Sequence, residues 1–338
     1  MTKITLLIPL LCMVCLPAHS QFPDEDRNDA YDSCILNSVK GQVGDRTLAA
    51  VRDYCLETVN ATSGKKVAAL EERFKLEERT EWNRFAIIPH RRNYFLPYTH
   101  TSKINREAYS SEEGWRGNLR HSEAKLQLSF KIPVNREFIF VPGDEVNIAF
   151  TMKSWWQVYA SAISRPFRET NYMPEVFYIT RLDWHPFESY TRIAVGLSHE
   201  SNGRSGELSR SWNRIYTEFI FDKENFALFF RPWYRIPERE KDGPNDADGD
   251  DNPDIEAYLG HFELDMVYRE EDHEYSLMMR NNLRTSDNRG AFRLGYSFPL
   301  YGRLKGFVHY FQGYGESLID YDISQRRLGV GILLTDLL

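Results

Sequence analysis

From about Asn93 to the C-terminus the chain alternates apolar and polar residues, in stretches of about ten. Leu126, Leu128, Phe130 and Ile132 alternate with Lys125, Gln127, Ser129 and Lys131. Tyr258, Phe262, Leu264, Met266 and Tyr268 alternate with His261, Glu263 and Asp265, and Phe226, Leu228 and Phe230 keep the same rule. Successive side chains of a strand point to opposite faces, so each stretch reads as a strand with one apolar side. In water that side has to be a core. In a bilayer it is the outer wall of a barrel, and a tilted strand of this length crosses the hydrocarbon. Strands there must close on themselves, because an open edge leaves backbone groups unpaired at several kcal/mol each.

Composition chooses lipid over water. Tyr, Phe and Trp number 19, 21 and 7, yet 27% of residues are charged. A membrane barrel combines these because its lipid face uses only alternate positions. Lys3, the apolar run Ile4 to Leu16 and the small-residue site Ala18-His-Ser20 form a secretory signal peptide over residues 1–20. No other apolar run approaches 18 residues, so a helical membrane protein is not expected. A net charge of −7 argues against a nucleic-acid partner.

Twelve strands are expected, near 94–102, 123–134, 144–157, 174–184, 188–201, 210–222, 225–237, 255–268, 273–284, 290–299, 304–316 and 327–338. An even number brings both barrel ends to the periplasmic side. Asp222–Asn225 and Pro299–Gly302 become periplasmic turns, and 158–173, 202–209 and 238–254 become outer loops. The barrel domain is 93–338. Residues 21–92 read as a helical periplasmic extension, with helical signals at Thr47–Val59 and Val67–Trp82. Cys34 and Cys55, the cysteines left after cleavage, read as a disulfide over a metal site in an oxidising compartment, with free thiols the alternative.

Parity also locates the chemistry. On the fifth strand Ile193, Val195 and Leu197 share a face that continues to His199 and Ser201. On the sixth, Asn213 shares a face with Ile215, Thr217, Phe219 and Phe221. A base, a hydroxyl and an amide therefore lie on the outer wall near its rim. Serine becomes a nucleophile when a base removes its proton and a third group holds that base. His199 is the candidate base, Ser201 the nucleophile and Asn213 the orienting group. Ser201 and Gly203 are candidate oxyanion positions, Gly203 through its N–H. Residues two apart on a strand are roughly 6–7 Å apart, so contact of Ser201 with His199 needs side-chain lean or a local bend. A bare His-x-Ser pair is common; polar groups on a lipid-facing stripe are costly and less easily explained by structure alone.

The longer strings Lys153-Ser-Trp-Trp-Gln157, Pro166-Phe-Arg-Glu-Thr-Asn-Tyr172, His199-Glu-Ser-Asn-Gly-Arg-Ser205, Ser209-Arg-Ser-Trp-Asn-Arg214, Asp251-Asn-Pro-Asp254 and Gly313-Tyr-Gly-Glu-Ser-Leu-Ile-Asp-Tyr321 carry a family likeness. Over 93–338 the chain resembles the outer-membrane phospholipase A family of Gram-negative bacteria. The resemblance implies a twelve-stranded barrel in the cell outer membrane that hydrolyses acyl esters of phospholipids and lysophospholipids, with phospholipase A1, A2 and lysophospholipase activity. It implies Ser201 as nucleophile, His199 as base and Asn213 as orienting residue. It also implies Ca2+ at the interface of a homodimer, held by Ser164, Ser209 and the carbonyl of Arg204, in a leaflet otherwise rich in lipopolysaccharide. Arg165, where a small polar residue is expected, departs from the family pattern.

Other readings stay open. The acidic loop Asp246–Asp254 is a solvated loop or a second cation site, without a complete EF-hand pattern. Trp155, Trp156, Trp212 and Trp233 are belt or packing residues before any substrate role. A non-catalytic channel or structural barrel retaining the motif is the alternative function. The large inward residues of mixed sign, Lys125, Lys131, Arg192, Arg214, Glu218, Glu263 and Asp265, favour a filled lumen over a pore.

Overall fold

A computed structural model describes residues 25–40, 51, 54, 55, 58, 68–80, 87–135, 139–243, 246 and 249–338. The signal peptide expected at 1–20 lies outside the described residues. The chain divides at Val67/Ala68 into two units. In the first, helix α1 (Glu25–Lys40) occupies a stretch not singled out by its sequence pattern. The described residues of Thr47–Val59, namely Val51, Tyr54, Cys55 and Thr58, are helical. Cys34 and Cys55 are joined by a disulfide with Cα atoms 5.6 Å apart.

The second unit is an antiparallel barrel of twelve strands: β1 (Asn93–Thr101), β2 (Ser122–Pro133), β3 (Glu145–Trp156), β4 (Phe167–Leu182), β5 (Tyr190–Ser201), β6 (Ser211–Lys223), β7 (Phe226–Ile236), β8 (Phe262–Glu270), β9 (His273–Asn281), β10 (Gly290–Tyr301), β11 (Leu304–Gly313) and β12 (Gln325–Thr335). Each pairs with the next, and β12 pairs with β1 to close the wall. A further two-residue segment, Ile88–Pro89, lies against Lys131 and Phe130 of β2. The alternation is physical. Val195, Leu197 and Ile215 are 46%, 49% and 44% exposed, whereas Ala194, Ser198 and Tyr216 between them are buried. Gly196 is the small inward residue that lets the Tyr216 ring cross β5; a Cβ there would stand 2.7 Å from that ring.

The strand bounds correct the sequence reading in several places. β10 runs to Tyr301, so the turn is Gly302-Arg303, and β12 ends at Thr335, not 338. β4 begins at Phe167, not 174, so the outer loop expected over 158–173 is shorter. Its polar residues are lumenal: a bulge pairs Trp155 with Glu169 and Trp156 with Phe167, and it lets consecutive Arg168 and Glu169 both be buried. β8 begins at Phe262, not 255, because 256–259 form one helical turn, with Ile255 and Leu259 buried beside it. β11 stops at Gly313 and β9 at Asn281, short of the expected 316 and 284. The boundary of the extension also shifts: helix α2 (Ala69–Thr80), expected within 21–92, belongs with the barrel.

Ion pairs fill the lumen. Arg168 contacts both Glu123 and Asp320, Arg327 contacts Glu123 and Glu316, Lys125 lies 2.6 Å from Glu316, and Arg231 bridges Glu218 and Glu175. Trp155, Trp212 and Trp233 are buried inside as well. At the end with two-residue turns, Glu224-Asn225 and Gly302-Arg303, α2 enters the barrel mouth. The Ala69 N–H donates to the Glu224 carbonyl and the Leu70 and Glu71 N–H groups donate to the Asp222 carboxylate, which serves the otherwise unpaired first turn of the helix. Glu71 reaches Arg192 at 2.6 Å and Arg181 at 2.9 Å, Glu77 reaches Lys131 at 2.7 Å, and the Phe74 ring lies 3.9 Å from the Arg192 guanidinium. A cavity of about 140 Å³ remains between α2 and the strands.

Candidate active site

The site forms where β5 and β6 approach the long-loop end. Their ladder runs unbroken from Tyr190 opposite Asp222 to Ser201 opposite Ser211, so His199 stands opposite Asn213. The other neighbour of β5 is interrupted at the same level. Tyr172 pairs with Ser201 and Glu175 with Ser198, while Met173 and Pro174 skip the ladder, since proline has no N–H to give.

His199 Nδ1 lies 2.9 Å from Asn213 Oδ1. An amide oxygen only accepts, so in this orientation the proton is on Nδ1 and Nε2 is left as the base. Asn213 Nδ2 donates to Glu238 Oε1 at 2.7 Å. Ser201 shares the outward face with His199 but forms no side-chain hydrogen bond among the described residues. The structure thus joins two of the three expected catalytic residues directly and sets the third one outward position further along the strand.

The inward neighbours hold this geometry. Glu200, between His199 and Ser201, accepts from Trp212 Nε1 at 3.1 Å and from Arg214 at 2.9 Å, stapling β5 to β6 from inside. Buried Asn202 closes the loop that follows. Its amide donates to the Leu208 carbonyl, and its Oδ1 accepts from the N–H groups of Arg204 and Arg210. Gly203 takes a φ of +63°, and its N–H makes no hydrogen bond among the described residues. Around the site the outer wall is apolar and aromatic: Leu197, Ile215, Tyr172 and Tyr234 are exposed, and Trp156 stacks on Phe167.

The expected calcium ligands sit on the same rim. Ser164 is exposed in a left-handed conformation after a short 3-10 turn. The Arg204 side chain donates to the carbonyls of Phe167 and Arg168, tying the β5–β6 loop to β4. Ser209 Oγ donates to Asp251 at 2.8 Å, Ser211 Oγ donates to the same oxygen at 3.2 Å, and Lys241 pairs with that carboxylate. Hydroxyl and carbonyl oxygens suit calcium in kind, but three fall short of the six to eight it takes. In the acidic loop, Asp246 pairs with Arg239, Asp250 with Arg235, and Asp254 accepts from Tyr321. Among the described residues no group of three His, Cys, Asp or Glu side chains is placed to hold a metal.

Glu238 and Asp251 were not singled out by sequence. Asp251 lies in a string that carries the family likeness; Glu238 carries no motif. Register is the signal that reaches Glu238. From the two-residue turn after Lys223 the β6–β7 pairing keeps one register as far as Asn213 opposite Ile236, which sets Glu238 just past the amide.

Fold and site together define an outer-membrane barrel with a candidate hydrolytic site on its lipid-facing wall. The family model for phospholipase A1 matches residues 70–334. The phospholipase A1 of Escherichia coli K12 is 39% identical over 257 residues, covering 75% of this chain and 83% of that protein. The chain belongs to the phospholipase A1 family of outer-membrane phospholipases. The solved outer membrane phospholipase A of Escherichia coli superposes with a TM-score of 0.68 at 38% identity, covering 75% of this chain and all of that one. A Salmonella typhi outer membrane phospholipase, solved as a dimer with bound calcium, gives 0.69 at 36% identity, covering 76% and 95%. An active-site mutant of the Escherichia coli protein with asparagine replaced by alanine gives 0.69 at 37% identity, covering 76% and 94%.

Proposed function

We propose that this protein is a calcium-dependent serine hydrolase that cleaves acyl esters of phospholipids and lysophospholipids, and that it works as a dimer. The observation that carries the reading is the His199–Asn213 hydrogen bond on the outer wall, beside Ser201. Lumenal charges such as Arg168, Lys125 and Arg231 are taken up in ion pairs; His199, Ser201 and Asn213 face the acyl chains. That an asparagine belongs to the active site of the Escherichia coli relative supports the role given to Asn213.

His199 Nε2 takes the Ser201 Oγ proton as Oγ attacks the ester carbonyl. The tetrahedral intermediate collapses, the bond from carbonyl carbon to the lipid oxygen breaks, and the imidazolium returns its proton to that oxygen. Water, deprotonated by the same nitrogen, then attacks the acyl-serine; the bond from carbonyl carbon to Ser201 Oγ breaks, the imidazolium returns its proton to Oγ, and the fatty acid leaves. The Gly203 N–H is the candidate donor to the oxyanion. Ser164, Ser209 and the Arg204 carbonyl would hold calcium, whose chemistry is to stabilise negative charge at the oxyanion. Because one chain offers too few ligands, a second copy is the natural source of the remainder, in line with the calcium-bound dimer of the Salmonella relative. Substrate enters sideways from the outer leaflet, so turnover is low while that leaflet is lipopolysaccharide. The ion-paired lumen argues against the channel alternative.

The test is fatty-acid release from phospholipid by the refolded protein, with calcium and with chelator, for wild type and Ser201→Ala. Wild type is expected to act only with calcium, and the variant to be silent in both. Equal release by the variant overturns the proposal.

A further inference from the structure

We propose that Glu238 is a positioning residue for this reaction, acting on His199 through Asn213; the inference rests on the triad reading above. An asparagine has a weakness as orienting group that an aspartate lacks. Its amide can rotate by half a turn and present NH2 in place of oxygen. Facing His199 in that orientation, it would donate to Nδ1, place the imidazole proton on Nε2 and remove the base. A carboxylate can only accept. With Glu238 Oε1 2.7 Å from Nδ2, the NH2 group is held away from the histidine and Oδ1 is held toward it. The chain His199–Asn213–Glu238 therefore fixes one tautomer through two successive hydrogen bonds.

Glu238 also supplies what the amide lacks, a negative charge. When the imidazolium forms, the carboxylate behind Asn213 polarises the amide toward it, as members of a hydrogen-bonded chain do. The carboxylate has no cationic partner among the described residues, so its charge is not cancelled locally. The fold explains its position. β7 ends at Ile236 opposite Asn213, Pro237 cannot extend the ladder, and the chain turns so that the next side chain meets the amide. The following residue is braced: the Arg239 carbonyl accepts from the Asp250 N–H at 2.8 Å, and its guanidinium contacts Asp242 and Asp246.

The experiment uses the refolded full chain with calcium and a soluble short-chain phospholipid, measuring kcat and KM separately. Ser201→Ala is the control for the triad. Glu238→Ala is expected to lower kcat about tenfold, with KM unchanged, because it releases the orienting group without touching lipid. Glu238→Gln, which can accept but can also flip, is expected to fall between. Asn213→Asp sets two carboxylates against each other. Adding Glu238→Gln, whose NH2 then donates to the carboxylate introduced by Asn213→Asp, is expected to raise activity about tenfold over the single Asn213→Asp variant. Each variant is checked for barrel folding by its heat-dependent shift on a detergent gel. Wild-type kcat in Glu238→Ala, or no gain in the double variant, overturns the inference. If Ser201→Ala is silent in either case, only the Glu238 role fails; if Ser201→Ala is active, the triad fails and this inference with it.

Discussion

Two ends of one hairpin carry polar groups under opposite conditions. At the short-turn end of β5–β6, Arg192 and Asp222 point inward and are consumed by α2, one by the Glu71 carboxylate and the other by the helix N–H groups. At the long-loop end, His199, Ser201 and Asn213 point outward among Leu197, Ile215 and Tyr234. One unbroken ladder joins the two ends, so the backbone is the same and only the face differs. The inward groups answer to stability: Arg192 meets the Glu71 carboxylate and Asp222 meets the helix N–H groups. The outward groups are not there for stability, because an apolar side chain would serve the wall better. Paired polar groups hold this barrel together, and the less-paired polar groups on its lipid face are where its chemistry is proposed to occur.

The contrast breaks first, if it breaks, at Ser201. Ser201→Ala is expected to lower fatty-acid release by about three orders of magnitude or more, leaving urea unfolding in detergent unchanged. A large loss of stability in this variant would mean the hydroxyl is structural and the two ends are not different in kind. The reverse experiment is Arg168→Ala. It leaves Glu123 with Arg327 alone and takes the only cation from beside Asp320 among the described ion pairs. Removing one partner of a buried network costs about 3–5 kcal/mol, which urea titration would read directly. The molecules that remain folded are expected to keep their specific activity. A variant unfolding at the wild-type midpoint would show that the lumen charges are not what holds the wall.

This division was partly legible in the sequence. Period-2 parity put His199, Ser201 and Asn213 on one face and Lys125, Arg192 and Arg214 on the other without any coordinates, because a strand has only two faces. The start of β4 was not legible. Arg168, Glu169 and Asn171 look like loop residues when hydrophobicity is the guide, and a lumen lined with charges uses the same residues as a loop in water. The bulge that buries Arg168 and Glu169 together also breaks the alternation on which the reading depends. Helix α2 was visible as a helix, but its place was not, since Glu71 and Glu77 resemble solvent-facing charges until Arg192 and Lys131 are brought to them. Glu238 needed register rather than parity. The turn at Glu224-Asn225 fixes its place by register, but Glu238 lies past the end of the strand, in no motif that marks it.

The smallest expected effect lies in the helix that occupies the short-turn end, and its sign follows from the carboxylates. Burial by itself would raise the Glu71 carboxyl, but Arg192, with Arg181 behind it, holds it below the ordinary value; Glu77 is likewise lowered by Lys131 and Arg73 against its burial. A depressed carboxylate contributes stability that is fully present above its unfolded value, near 4.3 for glutamate, and is lost as pH falls through the folded value. The part of α2 docking that rests on Glu71 and Glu77 is therefore expected to weaken below about pH 4. Hydrogen exchange of the amides in 69–80 reads this locally, without requiring the barrel to unfold. Glu71→Gln should bring the weakening up to neutral pH, at about 1.5–3 kcal/mol for the charged hydrogen bonds it removes. Exchange that stays slow to pH 3 in wild type, or is unchanged in Glu71→Gln, would show that Phe74 and the apolar face hold the helix unaided. The inward end would then resemble the outward one in having polar groups that stability does not require.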